Sequence, residues 1–130
     1  MKFRILSFSL LAMLLSSCSM GDAKTAQYFV QGERLYEQHC SNCHQADGTG
    51  LGKLYPSLVG SQLLKSNSAE VVCWIRYGSK NDSITGDRPM MPGNPGLTDL
   101  EIAELMTYLT MEYAEGKEIF DVRQSTCEVD

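Results

Sequence analysis

Two glycine- and proline-rich stretches constrain this chain more than any of its apolar segments do. Residues 45–67 hold Gly48, Gly50, Gly52, Pro56 and Gly60, and residues 79–96 hold Pro89, Pro92, Pro95 and three glycines. Both read as loop, apart from a short helical turn at Gln62–Lys65. Loops of about 20 residues are rare inside a compact domain. The chain has 130 residues, enough for one domain and not for two. Something other than protein must fill the space these loops surround.

Helical spacing recurs in the segments between the loops. From about Ala26 to Gln38, Phe29 or Val30, Leu35 and Tyr36 fall on one face. Gly32 interrupts that pattern, and a helical glycine costs about 1 kcal/mol against alanine. Its presence predicts close approach of another backbone or an aromatic ring. Ser68 is placed to cap a helix over Ala69–Tyr77, stopped by Gly78. Thr98 and Glu101 form a capping-box pattern, with Leu97 and Ile102 at the hydrophobic-staple positions. Ile102, Leu105, Met106, Leu109 and Tyr113 continue from there as one apolar stripe. No period-2 strand pattern is present. The expected fold class is all-α, with three main helices and long loops.

Cys40-Ser41-Asn42-Cys43-His44 supplies the missing filler. C-x-x-C-H is the attachment signature of c-type haem. Two thiols at this spacing add across the two vinyl groups on one porphyrin edge, and the next residue's imidazole reaches the iron. One rival is a redox dithiol, which expects strands around it; another is half of a zinc site, which needs a second ligand pair. The only other histidine, His39, directly precedes Cys40. An electron-transfer haem also takes a soft ligand on its far face. Of seven methionines, Met1 and Met13 lie in the leader, Met20 lies just after it, and Met106 and Met111 lie on the last helix. Met90 and Met91 remain, in the second loop. Met91 is favoured because Pro92 fixes its own φ and biases the preceding residue toward extended geometry. Met90 as the ligand, or both methionines merely capping the pocket, stay open as alternatives.

The N-terminus reads as a targeting segment rather than as fold. In residues 1–17, Lys2 and Arg4 precede an apolar run from Ile5 to Leu15, the layout of a secretory signal and too short for a membrane span. Leu15-Ser16-Ser17-Cys18 resembles the bacterial lipobox, which implies cleavage before Cys18 and acylation of that cysteine. Ordinary cleavage nearby and an uncleaved anchor are the alternatives. Residues 18–25 then serve as a polar tether. The net charge of −5 disfavours nucleic acid and anionic membrane surfaces as partners. Residues 99–130 carry nine acidic and two basic side chains, read here as a solvated helix face.

Taken together, these motifs resemble class I mono-haem cytochromes c over nearly all of 26–113. Gly32, Leu35-Tyr36 and Cys40 through Gly50 match the first helix and haem loop. Tyr55-Pro56-Ser57-Leu58 matches the P-x-L segment, and Met91-Pro92, Leu97-Thr98-Asp99, Glu101-Ile102 and Tyr108-Leu109 match the closing helix. The resemblance implies one haem c held by Cys40 and Cys43, with iron ligated by His44 and Met91. It implies that the Pro56 carbonyl orients His44, that Leu58 presses on the haem, and that Gly32 admits the ring of Tyr108. Trp74 would line the pocket or pack beneath it.

Cys73 and Cys127 remain unassigned, and an even pair in an oxidising compartment predicts a disulfide. Two separate thiols are the alternative. The bridge would fold a C-terminal extension, 114–130, back onto the domain. The resulting expectation is a one-electron carrier and not an enzyme. It would be lipid-anchored outside the cytoplasm, feeding or draining a respiratory reductase or oxidase through redox partner proteins. A haem-bearing docking subunit of a larger redox complex is the alternative. A gas sensor or peroxidase would need an open or displaceable sixth position, which Met91 opposes.

Overall fold

The computed structural model describes residues 20–79, 90–124 and Cys127. The signal segment 1–17 and Cys18 lie outside the described residues. Five α-helices follow in order: α1 Met20–His39, α2 Ser41–His44, α3 Gln62–Ser66, α4 Ser68–Tyr77 and α5 Asp99–Tyr113. A 3-10 turn at Val122–Gln124 ends the series. Among the described residues there is no strand beyond an isolated bridge between Leu51 and Tyr55. The chain is all-α, as its apolar periodicity predicts.

α1 starts at Met20, so the expected tether is continuous helix from that residue onward. Residues 21–24 are exposed, and the apolar pattern therefore gives no sign of them. Asp22 lies in the first turn, where a carboxylate suits the helix dipole, and the Thr25 hydroxyl donates to the Gly21 carbonyl at 3.0 Å. α5 begins as the sequence predicts. The Thr98 hydroxyl accepts from the Glu101 N–H while the Glu101 carboxylate accepts from the Thr98 N–H at 2.8 Å. Leu97 and Ile102 are both buried.

α1 and α5 cross at Gly32. A Cβ there would stand 2.1 Å from the Glu104 carbonyl oxygen and 2.7 Å from Tyr108 Cβ. Gly32 thus admits both the Glu104 backbone and the base of the Tyr108 side chain. The Tyr108 ring lies 5.1 Å from the Phe29 ring and 5.4 Å from that of Tyr36, centroid to centroid. Phe29 rather than Val30 faces the core; Val30 is exposed. The α5 stripe is buried throughout, with Ile102, Leu105 and Met106 wholly inaccessible.

The chain beyond α5 returns across it. Gly116 donates to the Thr110 carbonyl at 2.8 Å. Phe120 N–H donates to Thr107 Oγ1 at 3.0 Å, and that buried hydroxyl donates in turn to the Ala103 carbonyl at 2.7 Å. A disulfide joins Cys73 of α4 to Cys127, with Cα atoms 5.4 Å apart. α4 is thereby tied to the returning tail.

Candidate haem site

The attachment motif forms a single helical turn. Cys43 N–H and His44 N–H both donate to the Cys40 carbonyl, at 3.1 and 2.9 Å. That turn brings Cys40, Cys43 and His44 to the wall of one cavity of about 350 Å³. Leu58, Leu64, Val71, Trp74, Ile75 and Leu109 supply much of the apolar lining. Burial pushes the Cys40 thiol pKa up to about 12, with the charge of Cys43 adding to it. At neutral pH Cys40 therefore presents an uncharged sulfur to an apolar space.

His44 is oriented by a backbone carbonyl of the first loop. Its Nδ1 lies 3.1 Å from the Pro56 carbonyl oxygen. A carbonyl only accepts, so Nδ1 carries the proton and Nε2 keeps its lone pair for a metal. Gly50 makes this approach possible: a Cβ there would stand 2.4 Å from the Tyr55 carbonyl oxygen and 2.7 Å from that of Pro56. Gly50 N–H also donates to the His44 carbonyl at 2.9 Å. The Tyr36 hydroxyl donates to the Gln45 carbonyl at 2.6 Å, pinning the residue after the motif to α1.

Met90 and Met91 both border the same cavity. Met91 is half-buried and packs against the core, whereas Met90 is 58% exposed. Trp74 belongs to the wall, which decides between its two expected positions. Tyr55, Ser57, Ser61, Glu70 and Ser79 add polar groups to the lining. Glu70 and Ser79 were not singled out by sequence, because isolated polar residues beside a helix or in a loop carry no periodic signal. Among the described residues, no group of three or more His, Cys, Asp or Glu is assembled to hold a metal ion, so the zinc rival finds no second ligand pair there.

The donor set matches a flat apolar macrocycle with two vinyl arms and an iron that accepts nitrogen and sulfur. An all-α domain built around such a cavity, with the two thiols and the imidazole on one turn, defines a c-type haem protein. The family model for cytochrome c matches residues 29–111, and the chain belongs to the cytochrome c family. Membership implies covalently bound haem c and haem-based electron transfer. The chain is also similar to the fructose dehydrogenase cytochrome subunit of Gluconobacter japonicus, at 31% identity over 95 residues. That match covers 68% of this chain and 20% of the relative, so this chain corresponds to about a fifth of that protein. Among the described residues, no helix is long and apolar enough to cross a membrane.

Proposed function

We propose that this chain is a lipid-anchored, extracytoplasmic one-electron carrier with His/Met-ligated haem c. Haem would be attached through Cys40 and Cys43, with His44 and Met91 as axial ligands and lipid on Cys18. The observation that carries this reading is the convergence of Cys40, Cys43, His44 and Met91 on one apolar cavity. The second reading, a haem-bearing subunit docked on a larger redox complex, is supported by the likeness to a dehydrogenase cytochrome subunit.

When bound, haem supplies a reversible one-electron change at iron. The protein's part is to hold and tune. Cys40 and Cys43 fix the porphyrin edge by thioether bonds. The Pro56 carbonyl favours the Nδ1–H tautomer of His44, which leaves Nε2 as the nitrogen that would ligate. The Met91 thioether would favour the ferrous state and raise the reduction potential. Apolar walls such as Val71, Ile75 and Leu109 exclude water, so little solvent reorganises when the charge changes.

Intact mass of the purified chain tests attachment and anchoring together. The expected species lacks 1–17 and carries one haem and lipid on Cys18. Haem that extracts into acid acetone would refute covalent attachment, and an unacylated Cys18 would refute the anchor. Met91→Ala should abolish the sulfur-to-iron charge-transfer band, while Met90→Ala should leave it. The reverse pattern assigns the ligand to Met90.

A further inference from the structure

Met91 is held from the end of α4 by one side chain, and that side chain is not itself a ligand. The Met91 N–H donates to Ser79 Oγ at 2.8 Å, and the Ser79 N–H donates to the Met91 carbonyl at 2.9 Å. A single residue thus takes both backbone polar groups of the sulfur-bearing residue. Further ties bring the rest of the loop to the same place. Asn94 N–H donates to the Ile75 carbonyl at 2.7 Å, and Arg76 pairs with Asp99 at 2.6 Å across the base of the loop. Of these ties, the two from Ser79 are the ones made to Met91 itself, and Ser79 borders the cavity.

We propose that Ser79 is a positioning residue for Met91, setting how firmly the thioether is presented to the iron. The proposal rests on the reading of Met91 as the distal ligand. Its physical basis is the asymmetry of hydrogen bonding: a part-buried N–H that loses its acceptor loses the bond while water replaces it only in part. Without Ser79 Oγ the Met91 backbone has less reason to stay beside α4, and other backbone positions gain population. A competing ligand then displaces the sulfur more readily.

The test is a titration of the ferric holoprotein with imidazole, followed by the sulfur-to-iron charge-transfer band. Ser79→Thr and Ser79→Val form the informative pair, since they share a shape and differ in the hydroxyl. Half-displacement should occur at about five- to tenfold lower imidazole in Ser79→Val and Ser79→Ala, while Ser79→Thr stays near the parent value. Thr107→Val is the control for general softening, because it removes the acceptor of Phe120 on the far side of α5. It should lower the melting temperature and leave the imidazole midpoint in place. Equal midpoints for the threonine and valine variants, or an equal shift in Thr107→Val, would overturn the proposal. Met91→Ala keeps the two readings apart. A charge-transfer band that survives in it sinks the ligand assignment, whereas its loss together with a parent-like Ser79→Val sinks only the positioning role.

Discussion

Glu104 is the side chain whose surroundings depart furthest from what its charge would suggest. It is 8% exposed and shares a small polar pocket with Gln31, Arg34 and Gln38 of α1 and with Glu101 of its own helix. Burial raises its carboxyl pKa above the ordinary value, and the neighbouring Glu101 charge adds to the rise. The unfolded chain would ionise Glu104 in the ordinary carboxylate range, while the folded chain holds the proton to higher pH. This contribution to stability is therefore complete below the ordinary range and is lost as pH rises through the folded value. Glu104→Gln should melt at a higher temperature than the parent at pH 7, and the two melting temperatures should converge below about pH 4. A constant difference across that range would mean that shape, not ionisation, is responsible. Reading the acids of 99–130 as a solvated face holds for Asp99, Glu112, Glu115 and Glu118, and it fails for Glu104. Charge alone does not say which turn of α5 meets α1. Gly32 does, since a glycine inside a helical stripe marks where a second backbone comes close, and Glu104 is the residue opposite it.

Helices were legible where an apolar stripe marked them, although Ser68, expected as a cap, is the first residue of α4, whose N-cap position is Asn67. Thr98 and Glu101 fix the start of α5, and Gly78 ends α4 with its N–H on the Trp74 carbonyl at 2.8 Å. The start of α1 was not legible, because residues 21–24 are exposed and continue no apolar stripe. The exchange between Ser79 and Met91 was also hidden, since a pairing across a long loop has no local pattern. The link from α4 to the tail was readable only as a cysteine count, and its energetic weight follows from loop length. The Cys73–Cys127 bridge closes a separation of 54 residues that includes the Met91 loop and all of α5. Chain-entropy arguments put its contribution at roughly 2–4 kcal/mol. A domain of this size loses about 4–8 °C of melting temperature per kcal/mol. Replacing both cysteines by serine in the holoprotein should therefore lower the melting temperature by about 8 °C or more. Phe120 and Val122, which pack against the core from the tail, should become more exposed to amide exchange. An unchanged melting temperature would show that the Phe120–Thr107 bond and tail packing hold this segment without the bridge.

For the whole molecule, the long loops and the cavity are two views of one fact. Residues 45–67 and the described part of the second loop, 90–96, both line the cavity, through Leu58 and Leu64 in the first and Met91 in the second. His44 is reached by Pro56 from one loop, and Met91 is presented by the other, so each loop has a point of contact with the proposed cofactor. An apolar space left unfilled costs about 24 cal/mol per Å³. Applied to a cavity of about 350 Å³, this amounts to about 8 kcal/mol before collapse or water entry offsets it. Small domains are stable by only about 5–15 kcal/mol in total. Filling this cavity is therefore comparable to the whole net stability of a small domain, and the loops should not outlast the loss of haem. A Cys40→Ser, Cys43→Ser chain, which has no thiols to retain haem, should keep part of its helical circular dichroism. Residues 45–67 should lose their amide protection in that chain. The α1–α5 crossing, closed by Gly32 and the rings of Phe29, Tyr36 and Tyr108, should be the last part to exchange. Native protection in 45–67 of that double-serine chain would show that these loops are held by their own hydrogen bonds, such as Leu58 to Gly48 at 2.8 Å, and not by the group they enclose.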